Sequence, residues 1–91
     1  MMKLSSDCRS AHRPDGTVVL DPSRGKMFGL NPAGSQILRL IREGLTETQI
    51  AKQISETFAV DLAIVQTDVR SFLLQLATHR IITDENELAH E

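Results

Sequence analysis

The chain has 91 residues, 41% hydrophobic and 24% charged, with a formal net charge of −2. That is one domain's worth of chain with the composition of a soluble globular protein, and it leaves no room for a two-lobed enzyme with a deep cleft. The slightly acidic balance also argues against a nucleic-acid binder, because phosphate neutralisation by basic side chains supplies most of such affinity.

Only three residues are aromatic, all Phe, so the core must be mostly aliphatic. The single cysteine, Cys8, rules out an intramolecular disulfide and suits a reducing compartment. Met1 to Cys8 carries no apolar run of a secretory signal, and no stretch approaches the ~20 apolar residues of a membrane span. The expectation is a cytoplasmic protein of one domain, residues 1–91, with an ordered core from about 7 to 83.

A first strand is expected at about Asp7 to His12, although its residues alternate without a clear apolar face. The turn signal Pro14-Asp15-Gly16 precedes the β-branched run Thr17-Val18-Val19-Leu20-Asp21. A second turn cluster, Pro22-Ser23-Arg24-Gly25, leads into Lys26-Met27-Phe28-Gly29-Leu30, and the two runs read as a β-hairpin. Asn31-Pro32 marks a helix start, with Asn as cap and Pro at the first helical position. Ala33, Ile37, Leu40 and Ile41 form its apolar face, and Gly44 closes it.

Thr46 to Gln49 reads as a capping box opening a second helix, with Ile50, Ala51, Ile54 and Phe58 as its buried stripe. A third helix begins near Asp61 and carries Leu62, Val65, Val69, Phe72, Leu73 and Leu76. Ile81-Ile82 is a short apolar coda, and Asp84 to Glu91 reads as a frayed polar tail. The sum is an α+β domain: a three-stranded antiparallel sheet followed by three helices, winged helix-turn-helix-like in outline.

Catalytic and metal-binding patterns are missing from the sequence. His12, His79 and His90 have no second His or Cys at ligand spacing that would complete a site, so no metal or other cofactor is expected. Nothing is placed to activate Cys8 as a nucleophile, and Gly25, Gly29 and Gly34 do not form a phosphate-cradling loop.

Two binding features remain. If the meander runs in sequence order, Gly25 to Leu30 is an edge whose backbone can pair with an extended peptide. On the third helix, Leu74 points away from the core stripe among Thr67, Arg70, Ser71, Ala77 and Thr78, as an anchor-binding groove would require.

These residues resemble the PqqD-like family, also called the RiPP precursor peptide recognition element. The similar stretch runs from Val18-Val19-Leu20-Asp21 through Gly25 to Asn31, Gly34, Ile37 to Leu40, Gly44-Leu45-Thr46 and Ile50-Ala51. It continues through Asp68-Val69, Phe72-Leu73, Leu76 and Ile81-Ile82. The resemblance implies a non-catalytic adaptor that binds the leader of a ribosomally made precursor peptide as a further strand. The pairing strand would be Lys26, Met27, Phe28, Gly29 and Leu30, with Arg70, Ser71, Leu74, Ala77 and Thr78 as the helix-side contacts.

The implied partner is a separately encoded modifying enzyme, such as a radical S-adenosylmethionine (radical SAM) protein, or a leader protease. Two departures stand out: Phe28 where the family often has Tyr, and Arg80 where a Gly commonly precedes the final apolar pair, which implies a different end to the last helical turn. The rival reading is a winged helix-turn-helix DNA-binding regulator. Against it, the third helix offers Asp61, Asp68 and no cation before Arg70, where base and phosphate contacts need basic or amide side chains. A third reading is a structural subunit, for instance a homodimer using Val19 and Met27 on the sheet's outer face.

Overall fold

The computed structural model describes residues 2–84, with the side chain of Asp84 excepted. Its elements are β1 (Met2–Leu4), β2 (Arg9–Arg13), β3 (Gly16–Asp21), β4 (Lys26–Leu30), α1 (Pro32–Arg42), α2 (Glu47–Phe58), α3 (Leu62–Thr78) and β5 (Ile82–Asp84). The expected meander is present as the antiparallel sheet β2-β3-β4. The single sheet of the sequence reading needs correcting, because β1 and β5 form a second, two-stranded antiparallel sheet with Met2 opposite Asp84 and Leu4 opposite Ile82. Each segment is three residues long, too short for alternation to register, and the pairing joins opposite ends of the chain. Asp84 ends β5, and the rest of the tail read as frayed lies outside the described residues.

Register decides which side of the sheet is buried. Val19 stands opposite Phe28 and Thr17 opposite Leu30, so these residues share the inward face with Asp21 and Lys26. The outer face therefore belongs to Val18, Leu20 and Met27, and Met27 is 70% exposed. This corrects the dimer reading: Val19 is fully buried in the core, although Met27 does lie outside. Gly16 is needed where β3 begins, since a Cβ there would collide with the Leu30 carbonyl and its φ is +148°.

The hairpin that carries β4 is tied at its turn. The carboxylate of buried Asp21 accepts from the Ser23 hydroxyl at 2.8 Å, from the Arg24 N–H at 3.3 Å and from Arg24 Nη1 at 3.1 Å. The Ser23 bond is the largest cause holding this carboxyl below the usual range, and the Arg24 contacts add to it.

Local chemistry starts each helix as the sequence suggests. Asn31 Oδ1 accepts from the Gly34 N–H at 2.8 Å with Pro32 in the first turn. Thr46 and Gln49 form the reciprocal capping box, and Asp61 Oδ1 accepts from the Ala63 N–H at 2.8 Å. The core joins Val19, Ile37, Leu38, Leu40 and Ile41 to Ile50, Ala51, Ile54, Val65, Val69, Leu73 and Leu76. Phe58 departs from its expected place: as the last residue of α2 it projects past the core and is 45% exposed. No helix among the described residues is long and apolar enough to cross a membrane.

The end of α3 is resolved by Arg80. The Ile81 N–H reaches the Leu76 carbonyl at 2.8 Å and the Arg80 N–H reaches Ala77 at 3.0 Å, a Schellman closure with Arg80 at φ +58°. The left-handed turn that glycine favours is thus made by an arginine, and it delivers Ile81 and Ile82 into the core.

Two outcomes follow from this architecture. Arg80→Gly removes a left-handed strain of about 1–2 kcal/mol and adds chain entropy, so urea unfolding should show a net gain of up to about 1 kcal/mol. Because the folded Asp21 pKa is depressed, its stabilisation is present above the unfolded pKa of about 3.9 and is lost as pH falls through the folded value. Thermal melts from about pH 6 to pH 3 should therefore fall more steeply for the natural chain than for Asp21→Asn.

Candidate functional site

β4 pairs with β3 on one side only. Outside that ladder no backbone hydrogen bond among the described residues reaches Lys26 to Leu30, so alternate N–H and C=O groups along this edge face outward unpaired. Arg24 and Gly25 close the turn before it, and the Asn31 cap fixes the chain after it. The strand is thereby held extended at both ends with its rim bare.

Where β4 runs into α1, the surface sinks into a hollow of about 530 Å³. Gly29 and Leu30 line it from the strand, Gly34 and Ile37 from α1, and Val65, Asp68, Val69 and Phe72 from α3. Ile54, Phe58 and Val60 complete it from α2 and the loop that follows. The lining is apolar except for Asn31 and Asp68, which suits a nonpolar anchor with a polar group beside it. Gly34 lets α1 approach α3 closely: a Cβ there would lie 3.0 Å from Phe72 Cζ. At the middle of the strand, the Phe28 ring meets the His79 ring at 5.0 Å, tilted by 48°, linking β4 to the cap of α3.

The sequence-derived site residues divide cleanly. Gly29 and Leu30 border the hollow, and Lys26, Met27 and Phe28 continue the same open edge. The α3 residues Arg70, Ser71, Leu74, Ala77 and Thr78 are exposed and none lines the hollow. Arg70 turns to the α2 side, with Nε 3.9 Å from Glu47 Oε2, and Leu74 is 62% exposed. The residues that do face the hollow, Asp68 and Phe72, flank the buried stripe of α3, whereas Arg70 lies about 200° around the helix from Asp68. A groove between a sheet and a helix uses the flank of the apolar stripe, not its opposite side. Helical periodicity puts Phe72 in the buried stripe, whereas in the structure it is half-buried at the edge of the hollow.

Cys8 is buried, its Sγ donating to the Arg80 carbonyl at 3.8 Å, and burial pushes its thiol pKa up, away from a nucleophilic thiolate. Among the described residues no group of three or more His, Cys, Asp or Glu side chains is gathered for a metal.

Gly34→Ala tests the close approach. The helix should gain about 0.5–1 kcal/mol of propensity, largely offset by the displaced ring, so stability stays within about 1 kcal/mol of the natural chain. The Phe72 ring-proton shifts should move while the β2 and β3 amides stay in place.

The family model described as coenzyme PQQ synthesis protein D (PqqD) matches residues 16–82. Among solved structures, TbiB1 in complex with the TbiA(beta) leader peptide is 36% identical, with a TM-score of 0.83 over 88% of this chain and 93% of that one. A lasso peptide synthetase B1 complexed with the leader peptide shares the fold at 18% identity, with a TM-score of 0.84, covering 91% of this chain and 98% of that one. The PqqD truncation of Methylobacterium extorquens PqqCD, a stand-alone RiPP recognition element, is 26% identical with a TM-score of 0.74, covering 91% and 88%. No curated protein sequence matches the chain.

Proposed function

Since the chain belongs to the PqqD family, we propose that it is a non-catalytic adaptor that binds the leader segment of a ribosomally made precursor peptide and presents it to a modifying enzyme or leader protease. The observation that carries this reading is the bare rim of β4 opening directly onto an apolar hollow. Backbone pairing along Lys26 to Leu30 fixes the register of an incoming strand, and a nonpolar leader side chain in the hollow fixes its identity. TbiB1, 36% identical over most of its length, is itself a protein captured with a leader peptide.

On this reading the helix-side contacts come from Asp68, Phe72 and His79 in place of the Arg70-to-Thr78 face. The adaptor needs no proton transfer: holding the leader raises the effective concentration of the core peptide at the enzyme. The single unit of sheet and helices follows the winged helix-turn-helix outline, and a cytoplasmic location fits where ribosomal precursors are made. The enzyme partner fits a radical SAM protein or a protease encoded separately. DNA binding is disfavoured by α3, whose exposed N-terminal half offers Ile64, Gln66, Thr67 and Asp68 before its first cation.

Strand addition has a signature in alternate residues. Met27 and Phe28 point their N–H groups in opposite directions, one to β3 and one outward. Of Met27→Pro and Phe28→Pro, one should therefore lose stability, while the other stays folded and loses at least about tenfold in leader affinity. Titrating a candidate leader into the labelled chain and following the amides reads both. Two folded variants with undiminished affinity would exclude pairing at this rim.

A further inference from the structure

The sheet has a second open edge with different chemistry. β2 pairs only with β3, and no backbone hydrogen bond outside that ladder reaches Arg9 to Arg13 among the described residues. Arg9 pairs opposite Leu20 and Arg13 opposite Gly16, which places both on the sheet's outer face, exposed. From the inner side α1 adds Arg42, whose Nη1 donates to Ser10 Oγ at 3.0 Å, and Arg39. Four of the ten Lys and Arg residues of a net-acidic chain thus gather around one strand.

At the end of this edge, Arg13 and Arg39 share a hollow of about 220 Å³ with His12, Ser35 and Gln36, and no carboxylate lines it. Its hydroxyls are already ordered. His12 Nδ1 lies 3.0 Å from Thr17 Oγ1, and the buried Thr17 hydroxyl is bonded in turn to that of Ser35. Where the Thr17 hydrogen goes to one of these neighbours, the other donates to Thr17. If Ser35 receives it, the Ser35 hydrogen remains free; if His12 receives it, the imidazole proton sits on Nε2 and remains free. Either arrangement leaves a donor on a lining residue beside two guanidinium groups. Among the described residues Glu43 pairs with Arg39 at 3.2 Å, a contact between half-exposed side chains that solvent weakens and another carboxylate can replace.

We propose that β2 accepts an acidic extended segment of a partner protein as an added strand, with one carboxylate of that segment seated between Arg13 and Arg39. Only the partner's identity rests on the adaptor reading, under which it is the modifying enzyme; the site itself does not. With leader on β4 and partner on β2, the two added strands lie about 19 Å apart on one sheet, four strand spacings, and do not compete.

The test titrates the full, isotope-labelled chain with a capped eight-residue peptide alternating Glu and Val, against its Lys–Val counterpart. The Glu–Val peptide should shift the amides of residues 9–13 and leave 26–30 in place. Raising salt from about 0.05 to 0.5 M should weaken it at least about tenfold. The double variant R13E with R39E should keep the amide pattern of the core and lose these shifts. Equal binding of both peptides, shifts confined to 26–30, or tighter binding of a short DNA duplex to this edge would overturn the proposal. A leader that still shifts 26–30 while the Glu–Val peptide shifts nothing sinks this proposal and spares the adaptor reading. The reverse pattern sustains the β2 site and sinks the adaptor reading.

Discussion

The inward side chains of β3 hold the sheet to the rest of the molecule. Thr17, Val19 and Asp21 are each no more than 2% exposed, and they anchor the strand in three different ways. Val19 joins the aliphatic core, Thr17 is hydrogen-bonded between His12 and Ser35, and Asp21 ties the turn that leads into β4. With the central strand fixed from one side, its two neighbours can be held straight without pairing to anything further. A three-stranded sheet this small has rims by necessity; here those rims are ordered before any visitor arrives. Ordering costs that a binding event would otherwise meet are therefore already met in folding.

The two rims differ in what surrounds them. β4 opens onto a hollow lined by Ile37, Ile54, Val65, Val69 and Phe72, so shape and apolar area discriminate there. β2 is bordered by Arg9, Arg13, Arg39 and Arg42, so charge discriminates. One sheet can in this way offer the same backbone hydrogen bonds to two unlike strands and still sort them, because specificity lies in the flanking side chains.

Much of this fold was legible in the sequence because its local signals are strong. Asn31-Pro32, the Thr46–Gln49 capping box and the Pro22-to-Gly25 turn each specify a conformation within four residues, and β4 falls where the pattern put it. What escaped was non-local. The β1–β5 sheet is specified by contact between chain ends, and three-residue segments such as Met2-Lys3-Leu4 carry no readable period. The face of Val19 depended on register, and a shift of one residue exchanges the two sides of a strand. On α3 the buried stripe is plain in the sequence, but which of its flanks borders the hollow depends on the packing of α1 at Gly34, which brings Asp68 and Phe72 there. Arg80 was read as a departure in the last turn, yet backbone hydrogen bonds impose the left-handed geometry on whichever residue stands there.

The clasp of β1 on β5 has a bearing on how such a module can be wired to others. Met2 and Asp84 sit side by side, and β5 follows directly on the α3 cap that touches Phe28. A covalent tether attached upstream of residue 2 or downstream of residue 84 would leave from the same two-stranded sheet, next to the α3 cap that touches the leader-side rim. Fusion in either gene order would thus hang a second domain at the same spot, with similar reach and similar local concentration over that rim.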